Sequence, residues 1–231
     1  NTDSTDAING SQLYSVWQTA NAAANSSNIH FVSINSKDAT KGNYGNDGAT
    51  GVAATAIGVD AIAAGANATA LGFSSNASGL NSIAIGDSLA AGTKSTAIGY
   101  NANTKSNNGV AVGVNAQTIG DNALAIGTGR NDINNQRTSA GTQSVALGYT
   151  ARADGSSAVA IGTYTAAGTN SIAMGNGADA TQSNTIAIGT NAYAGVEAIH
   201  IGTSTVRGND SNLTGAFRRG STLIGNEAVG R

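Results

Sequence analysis

Cysteine and proline are both absent from the 231 residues, and each absence narrows the field. Without cysteine there is no disulfide framework and no thiolate site, although a chain built by repetition needs no such staples. Without proline, no residue deletes a ladder donor from a sheet, which suits stacked strands. Aromatic residues make up 4% and charged residues 10% of the chain. A typical domain is about one quarter charged, so an ordinary globule with a densely charged shell is excluded. The formal net charge of −2 gives no global attraction to nucleic acid or to an anionic membrane. No apolar run approaches the roughly 20 residues of a membrane span. The residues from Asn1 do not read as a signal peptide, so export would mean that such a segment has been removed.

What the chain has in abundance is glycine, 32 residues of it, and repetition. The word Ser171-Ile172-Ala173-Met174-Gly175 returns, as x-[ILV]-A-[ILVM]-G or a near copy, ending at Gly58, Gly72, Gly86, Gly99, Gly113, Gly127, Gly148, Gly162, Gly175, Gly189, Gly202 and Gly225. The intervals are 14, 14, 13, 14, 14, 21, 14, 13, 14, 13 and 23 residues, so one small unit is stacked many times. Each unit holds an apolar segment before the anchor glycine and a weaker, Ala-rich segment that ends near a second glycine such as Gly65, Gly79, Gly92, Gly155 or Gly168. Two short passes joined by tight turns account for about 14 residues, one turn of a flattened parallel coil. Twelve such coils at about 4.8 Å spacing make a rod roughly 55 Å long.

In the first pass Ile83 and Ile85 face one way, and Ser82, Ala84 and Gly86 the other. Neither face carries charge from unit to unit, so both are expected to be buried. One face fills the coil; the other has no partner within a single chain. The second pass, such as Asp87 to Ala91 or Tyr149 to Asp154, alternates small apolar with polar residues and is expected to face water. The asymmetry predicts an oligomer whose inner strands meet on a common axis, with Ile83, Ile85, Ile172 and Met174 in its core. Upstream, Leu13, Val16, Ala20 and Ala23 follow the 3-4-3 spacing of a coiled-coil seam, which predicts a short helix that needs partners. Ser26 to Asn35 reads as a strand, and Ser36 to Gly51 as a Gly/Asn-rich loop.

These words at 13–14 spacing, Asn81-Ser82-Ile83-Ala84-Ile85-Gly86 and Asn170-Ser171-Ile172-Ala173-Met174-Gly175 among them, resemble the head repeats of trimeric autotransporter adhesins, the YadA-like head. Asp6-Ala7-Ile8-Asn9-Gly10-Ser11-Gln12-Leu13 resembles the neck motif of that family. The resemblance implies an all-β fold, a left-handed parallel β-roll solenoid assembled as a homotrimer, with a short N-terminal coiled-coil helix. It also implies a cell-surface, outer-membrane passenger that attaches to host cells or extracellular matrix by multivalent binding to host surface or extracellular-matrix proteins, tied to the membrane only through an anchor domain absent from this sequence. The implied division is residues 1–25 as neck and helix, 26–51 as strand and loop, 52–202 as the head, and 203–231 as a divergent final repeat. A neck ordinarily follows its head, whereas this one precedes the repeats, so it reads as the end of an earlier head. A spacer that projects a more distal head is the alternative function.

Two units break the period, one around Arg130 to Arg137 and one between Thr203 and Ile224, and five of the eleven basic residues sit in these insertions. Insertions in a solenoid map to outward loops, so Arg130, Arg137, Arg207, Arg218 and Arg219 are candidate binding residues. Tyr100, Tyr149 and Phe73 each follow an anchor glycine and share one phase, which suits either a binding ladder or a cover for the rim turns. Catalytic chemistry is not expected. His200 replaces the Ala of its word without convergent partners, and it and His30 read as structural. The aspartates Asp60, Asp87, Asp121, Asp154 and Asp179 fall at different phases, unlike a calcium-binding nonapeptide roll, and Asn43 to Gly48 lacks the spaced carboxylates of a cation loop. No metal and no cofactor is expected. A hexapeptide β-helix needs 18-residue coils and an ice-binding face needs Thr in strict register; neither fits. Asn67 and Asn76 head Asn-x-Ser/Thr words of the kind expected by chance.

Overall fold

The computed structural model describes residues 9–26, 34, 38–130, 136–203 and 220–225, with side chains of the helix given as far as Asn21. The chain forms two compact units, Asn1–Ser36 and Lys37–Arg231.

The first unit contains the helix Gly10–Ser26. Its start is fixed by a reciprocal cap: the Gln12 N–H donates to Asn9 Oδ1 at 2.9 Å, and the Asn9 N–H donates to Gln12 Oε1 at 3.0 Å. Ser15 and Thr19 satisfy their hydroxyls on the carbonyls of Ser11 and Ser15, four residues back. The Ala-rich second half is strong in helix propensity. Leu13 and Val16 stand 61% and 62% exposed on the single chain. The strand expected over 26–35 falls almost wholly outside the described residues; within it, Ser26 ends the helix.

The second unit is a parallel solenoid. First passes make a twelve-stranded sheet running from Thr55–Ile57 to Thr222–Ile224, and second passes a nine-stranded sheet from Ile62–Ala63 to Asp179–Ala180. Every pairing is parallel and in register from one coil to the next, so Ala70, Ala84 and Ala97 stack directly, as do Leu71, Ile85 and Ile98. The word at Thr222 to Gly225 stacks on Ile199–Ile201, so the divergent final stretch still contributes a coil strand.

The two sheets close on each other through small side chains. Ala70, Ala84, Ala97, Ala111, Ala125, Ala146, Ala160, Ala173 and Ala187 from the first sheet are fully buried, as are Ala63, Ala77, Ala90, Ala140, Ala153 and Ala180 from the second. Buried Ser and Thr hydroxyls mostly find partners: Ser106 Oγ donates to Thr118 Oγ1 at 2.6 Å, and Thr185 Oγ1 to the Ala180 carbonyl at 3.2 Å, whereas Ser82 Oγ and Thr150 Oγ1 have none among the described residues. The coil thus uses the Ala face of the first pass as its core, which leaves the Ile, Val and Leu face outside.

Turns determine the period. The anchor glycines hold φ values from +85° to +147°, open in practice only to glycine. At Gly175 space adds a second constraint, since a Cβ there would lie 2.5 Å from the Gly189 carbonyl oxygen. The opposite turn is left-handed two positions before each first-pass strand, at Gly220 before the last and at non-glycine residues before the others: Asn67, Asn81, Lys94, Asn108, Asn122, Asn170 and Asn184 all have φ between +52° and +58°. Asparagine tolerates this region better than most residues, and its side chain adds a ladder. Nδ2 of Asn67, Asn108 and Asn170 donates to Oδ1 of Asn81, Asn122 and Asn184 at 3.1, 3.1 and 3.2 Å.

The Gly/Asn-rich loop caps the first coil. Asn43 Oδ1 accepts from the Gly48 N–H at 2.9 Å while its Nδ2 donates to the Gly58 carbonyl at 3.1 Å, and the Gly42 N–H donates to Asp60 Oδ1 at 2.7 Å. Ala49 bridges Ala63 in parallel, so ladder pairing reaches ahead of Val52. Covering this end shields the backbone groups of a terminal coil from edge pairing.

Candidate functional site

The outward side of the first sheet is one continuous apolar face. Ile83, Leu71, Leu147, Met174 and Ile201 are exposed on the single chain, Met174 by 37% and Leu147 by 43%, and Ile85 and Ile172 are half-buried. Their spacing is that of the strands, so two columns run the length of the sheet, the one through Leu71, Ile85 and Met174 apolar throughout and the one through Ile83 and Ile172 interrupted by Thr55, Thr69, Thr96 and Thr222. A contiguous apolar surface of this extent marks an interaction site. The four residues expected at an oligomer core, Ile83, Ile85, Ile172 and Met174, all lie on this side, opposite the Ala lining.

The outward side of the second sheet is different. Its column reads Ile62, Asn76, Leu89, Asn103, Gln117, Ser139, Arg152, Ala166 and Asp179. Polar groups here are organised around the insertion. Arg137 Nη1 donates to Gln117 Oε1 at 2.7 Å, Ser139 Oγ donates to Asp154 Oδ1, and Arg152 Nε donates to Asp154 Oδ2 at 2.9 Å. This alternation of buried small and outward polar residues matches the water-facing pass read from the sequence.

The insertion leaves the rim turn that follows the first pass. Its base is pinned by the Asn115 side-chain amide on the Gly129 carbonyl at 2.9 Å, by the Arg130 N–H on the Gln136 carbonyl, and by Thr138 Oγ1 on the Gly148 carbonyl at 2.8 Å. Residues 131–135 lie outside the described set. Arg130 is exposed on the near side of this base. The same rim carries the aromatics. Phe73 and Tyr100 stand 59% and 63% exposed, with Asp87 on the intervening coil, and the coils bearing Val114 and the insertion separate Tyr100 from Tyr149. The residues of shared phase therefore do not form a continuous ladder. Tyr149 instead packs edge-on against Tyr164, with ring centroids 5.4 Å apart. Sequence phase alone missed Tyr164, because it sits two positions after Gly162 whereas Tyr149 sits one after Gly148; the signal was the left-handed slot it fills, at φ +55°. Arg130, Arg137, Tyr100 and Tyr149 thus belong to neighbouring coils around one rim and the adjoining sheet, whereas Arg207, Arg218 and Arg219 lie outside the described residues.

His200 points into the lumen, in register with Ala187 and Leu223, and is 3% exposed. Its Nδ1 lies 2.9 Å from the Tyr193 carbonyl, which assigns the proton to Nδ1. It therefore does not face the apolar columns where a symmetric ring would form. Among the described residues no group of three or more His, Cys, Asp or Glu is placed to hold a metal ion. None of the described helices is long and apolar enough to cross a membrane.

A family model described as the YadA head domain repeat, in two copies, matches residues 49–75, 63–88, 90–116, 106–129, 139–165 and 166–192, together more than half of the chain. No curated protein matches it.

Proposed function

The chain belongs to the YadA head family, whose repeats imply an adhesin-type passenger domain, and on that premise we propose a homotrimeric surface adhesin that attaches to host cells or extracellular matrix. The apolar columns through Ile83, Ile85, Ile172 and Met174 carry the trimeric part of this reading. They require a cover over the full length of the roll, and a second and third copy present the same columns. With those faces turned to the axis, the second sheet and its insertion form the outside. Attachment then works by valency: each coil offers a weak contact, and three chains multiply it. Arg130, Arg137, Tyr100 and Tyr149 are the contacts we favour, with Arg207, Arg218 and Arg219 in the second insertion. The domain limits that follow are neck and helix at 1–25, connection at 26–51, head at 52–202 and divergent end at 203–231.

The competing reading is a spacer that holds another head away from the cell, and the helix favours it, because Leu13 and Val16 extend a coiled-coil seam upstream of the roll. The purified protein, immobilised and challenged with cultured cells and with matrix protein mixtures, separates the two. Retention of cells or matrix supports adhesion. Absence of retention, by a protein that light scattering shows to be a trimer, leaves the spacer.

A further inference from the structure

We infer that Lys105, Arg137 and Arg152 form a cationic line along the outward sheet that binds a linear sulfated polysaccharide. The inference rests on the adhesion reading above and names its ligand chemistry.

The line follows from strand register. Asn103, Gln117, Ser139 and Arg152 are successive members of one parallel column. Lys105, exposed, lies two residues beyond Asn103 and on the same side of the sheet. Arg137 is brought onto the next coil by its bond to Gln117 at 2.7 Å, which uses one N–H and leaves the rest of the guanidinium fork to other acceptors. Arg152 stands exposed two coils further on. Three cations therefore fall within three strand steps, about 14 Å along the roll. The remaining lysines and arginines described in the roll are scattered: Lys41 in the capping loop, Lys94 in the left-handed turns and Arg130 on the rim.

Two carboxylates border the line. Asp154 holds Arg152, but the pair is open to solvent, with the arginine side chain 50% exposed, so exchange of Asp154 for a sulfate loses little. Asp121 is already committed to Asn107, whose backbone N–H donates to it at 2.8 Å.

The shape of the line selects a polymer over a protein. Protein partners anchor on buried aromatic or apolar side chains. Here the neighbours are Asn103, Gln117 and Ser139, with Ile119 the one exposed apolar group beside Lys105, and the aromatics are on the rim. A flat row of fork and ammonium donors at coil spacing suits anions carried on successive sugars, with Arg137 and Arg152 able to grip sulfate in bidentate fashion.

The test uses the assembled 231-residue protein on immobilised heparin, dextran sulfate, unsulfated dextran and polyglutamate. Binding to the two sulfated polymers and not to dextran is expected. The combined variant Lys105→Gln, Arg137→Gln, Arg152→Gln should weaken heparin binding at least 10-fold and flatten its salt dependence, since each cation lost removes a released counterion. Lys94→Gln should bind as the unsubstituted protein does. Circular dichroism and light scattering confirm that each variant keeps its fold and assembly. Unchanged heparin binding in the triple variant overturns the assignment, and so does polyglutamate bound as tightly as heparin. A protein that retains cells or matrix but ignores heparin sinks this inference and leaves adhesion standing; one that retains none of them sinks both.

Discussion

The first and second sheets of the roll are lined inside by the same residue and clothed outside by different ones. Inward positions are mostly Ala in both, at Ala84 and Ala173 in the first sheet and at Ala90 and Ala180 in the second, with His200 and Leu223 the exceptions in the first and Thr104 and Thr118 in the second. Outward positions are mostly Ile, Val, Leu and Met in the first, with Thr at 55, 69, 96 and 222, and largely Asn, Gln, Arg and Asp in the second. The lumen therefore states how the chain coils, and the outward residues state what each sheet meets. A β-strand allows this separation because its side chains alternate, so one column is free to change while the other is held.

The sharpest way to break the comparison is to place the same charge on both outward faces of one coil. If the first sheet is the interface of the proposed trimer, Ile172→Asp is expected to abolish assembly, because an unpaired buried charge costs about 3–5 kcal/mol per chain; light scattering should show the mass of a single chain. Ala166→Asp, on the second sheet of the neighbouring pass, should leave mass and melting unchanged. If both were tolerated, the first sheet would not be an interface.

Next in size comes the turn that sets the period. Gly175→Ala introduces a side chain at φ +123° and against the Gly189 carbonyl, a loss of about 3 kcal/mol that lowers the midpoint in denaturant. The lumen should respond evenly, unlike the outer faces: Ala173→Leu and Ala180→Leu should each destabilise by about 1–3 kcal/mol through overpacking. A large difference between them would mean that the two linings are not equivalent. The smallest effect is expected at the left-handed turns, where Asn81→Ala should lower stability by about 1 kcal/mol, read as a shift of a few degrees in melting temperature.

Much of this was legible in the repeat. The interval of 13–14 residues implied two passes and a parallel coil, and the spacing of Leu13, Val16, Ala20 and Ala23 implied the helix. Which face of Ile83-Ala84-Ile85 lies inside was not legible, since both faces read as buried. The structure resolves it by placing Ala84 inside, fully buried, and leaving the larger Ile83 and Ile85 on the outward side. The Asn turns were also hidden, because Asn is common throughout the chain, although it recurs just before Ser82, Ser171 and Thr185. Tyr164 escaped for want of a fixed phase, and the Asn9–Gln12 cap because the motif around it was read as a whole.

The alanine lining has an entropic meaning as well. An alanine side chain has no rotamers to lose on folding, so each alanine position orders its backbone without freezing a side chain in the lumen. Nor does it have rotamers to exchange afterwards. Along the alanine columns the core therefore holds nothing that can rearrange, and a force or a ligand applied at one coil reaches its neighbours chiefly through the backbone ladder.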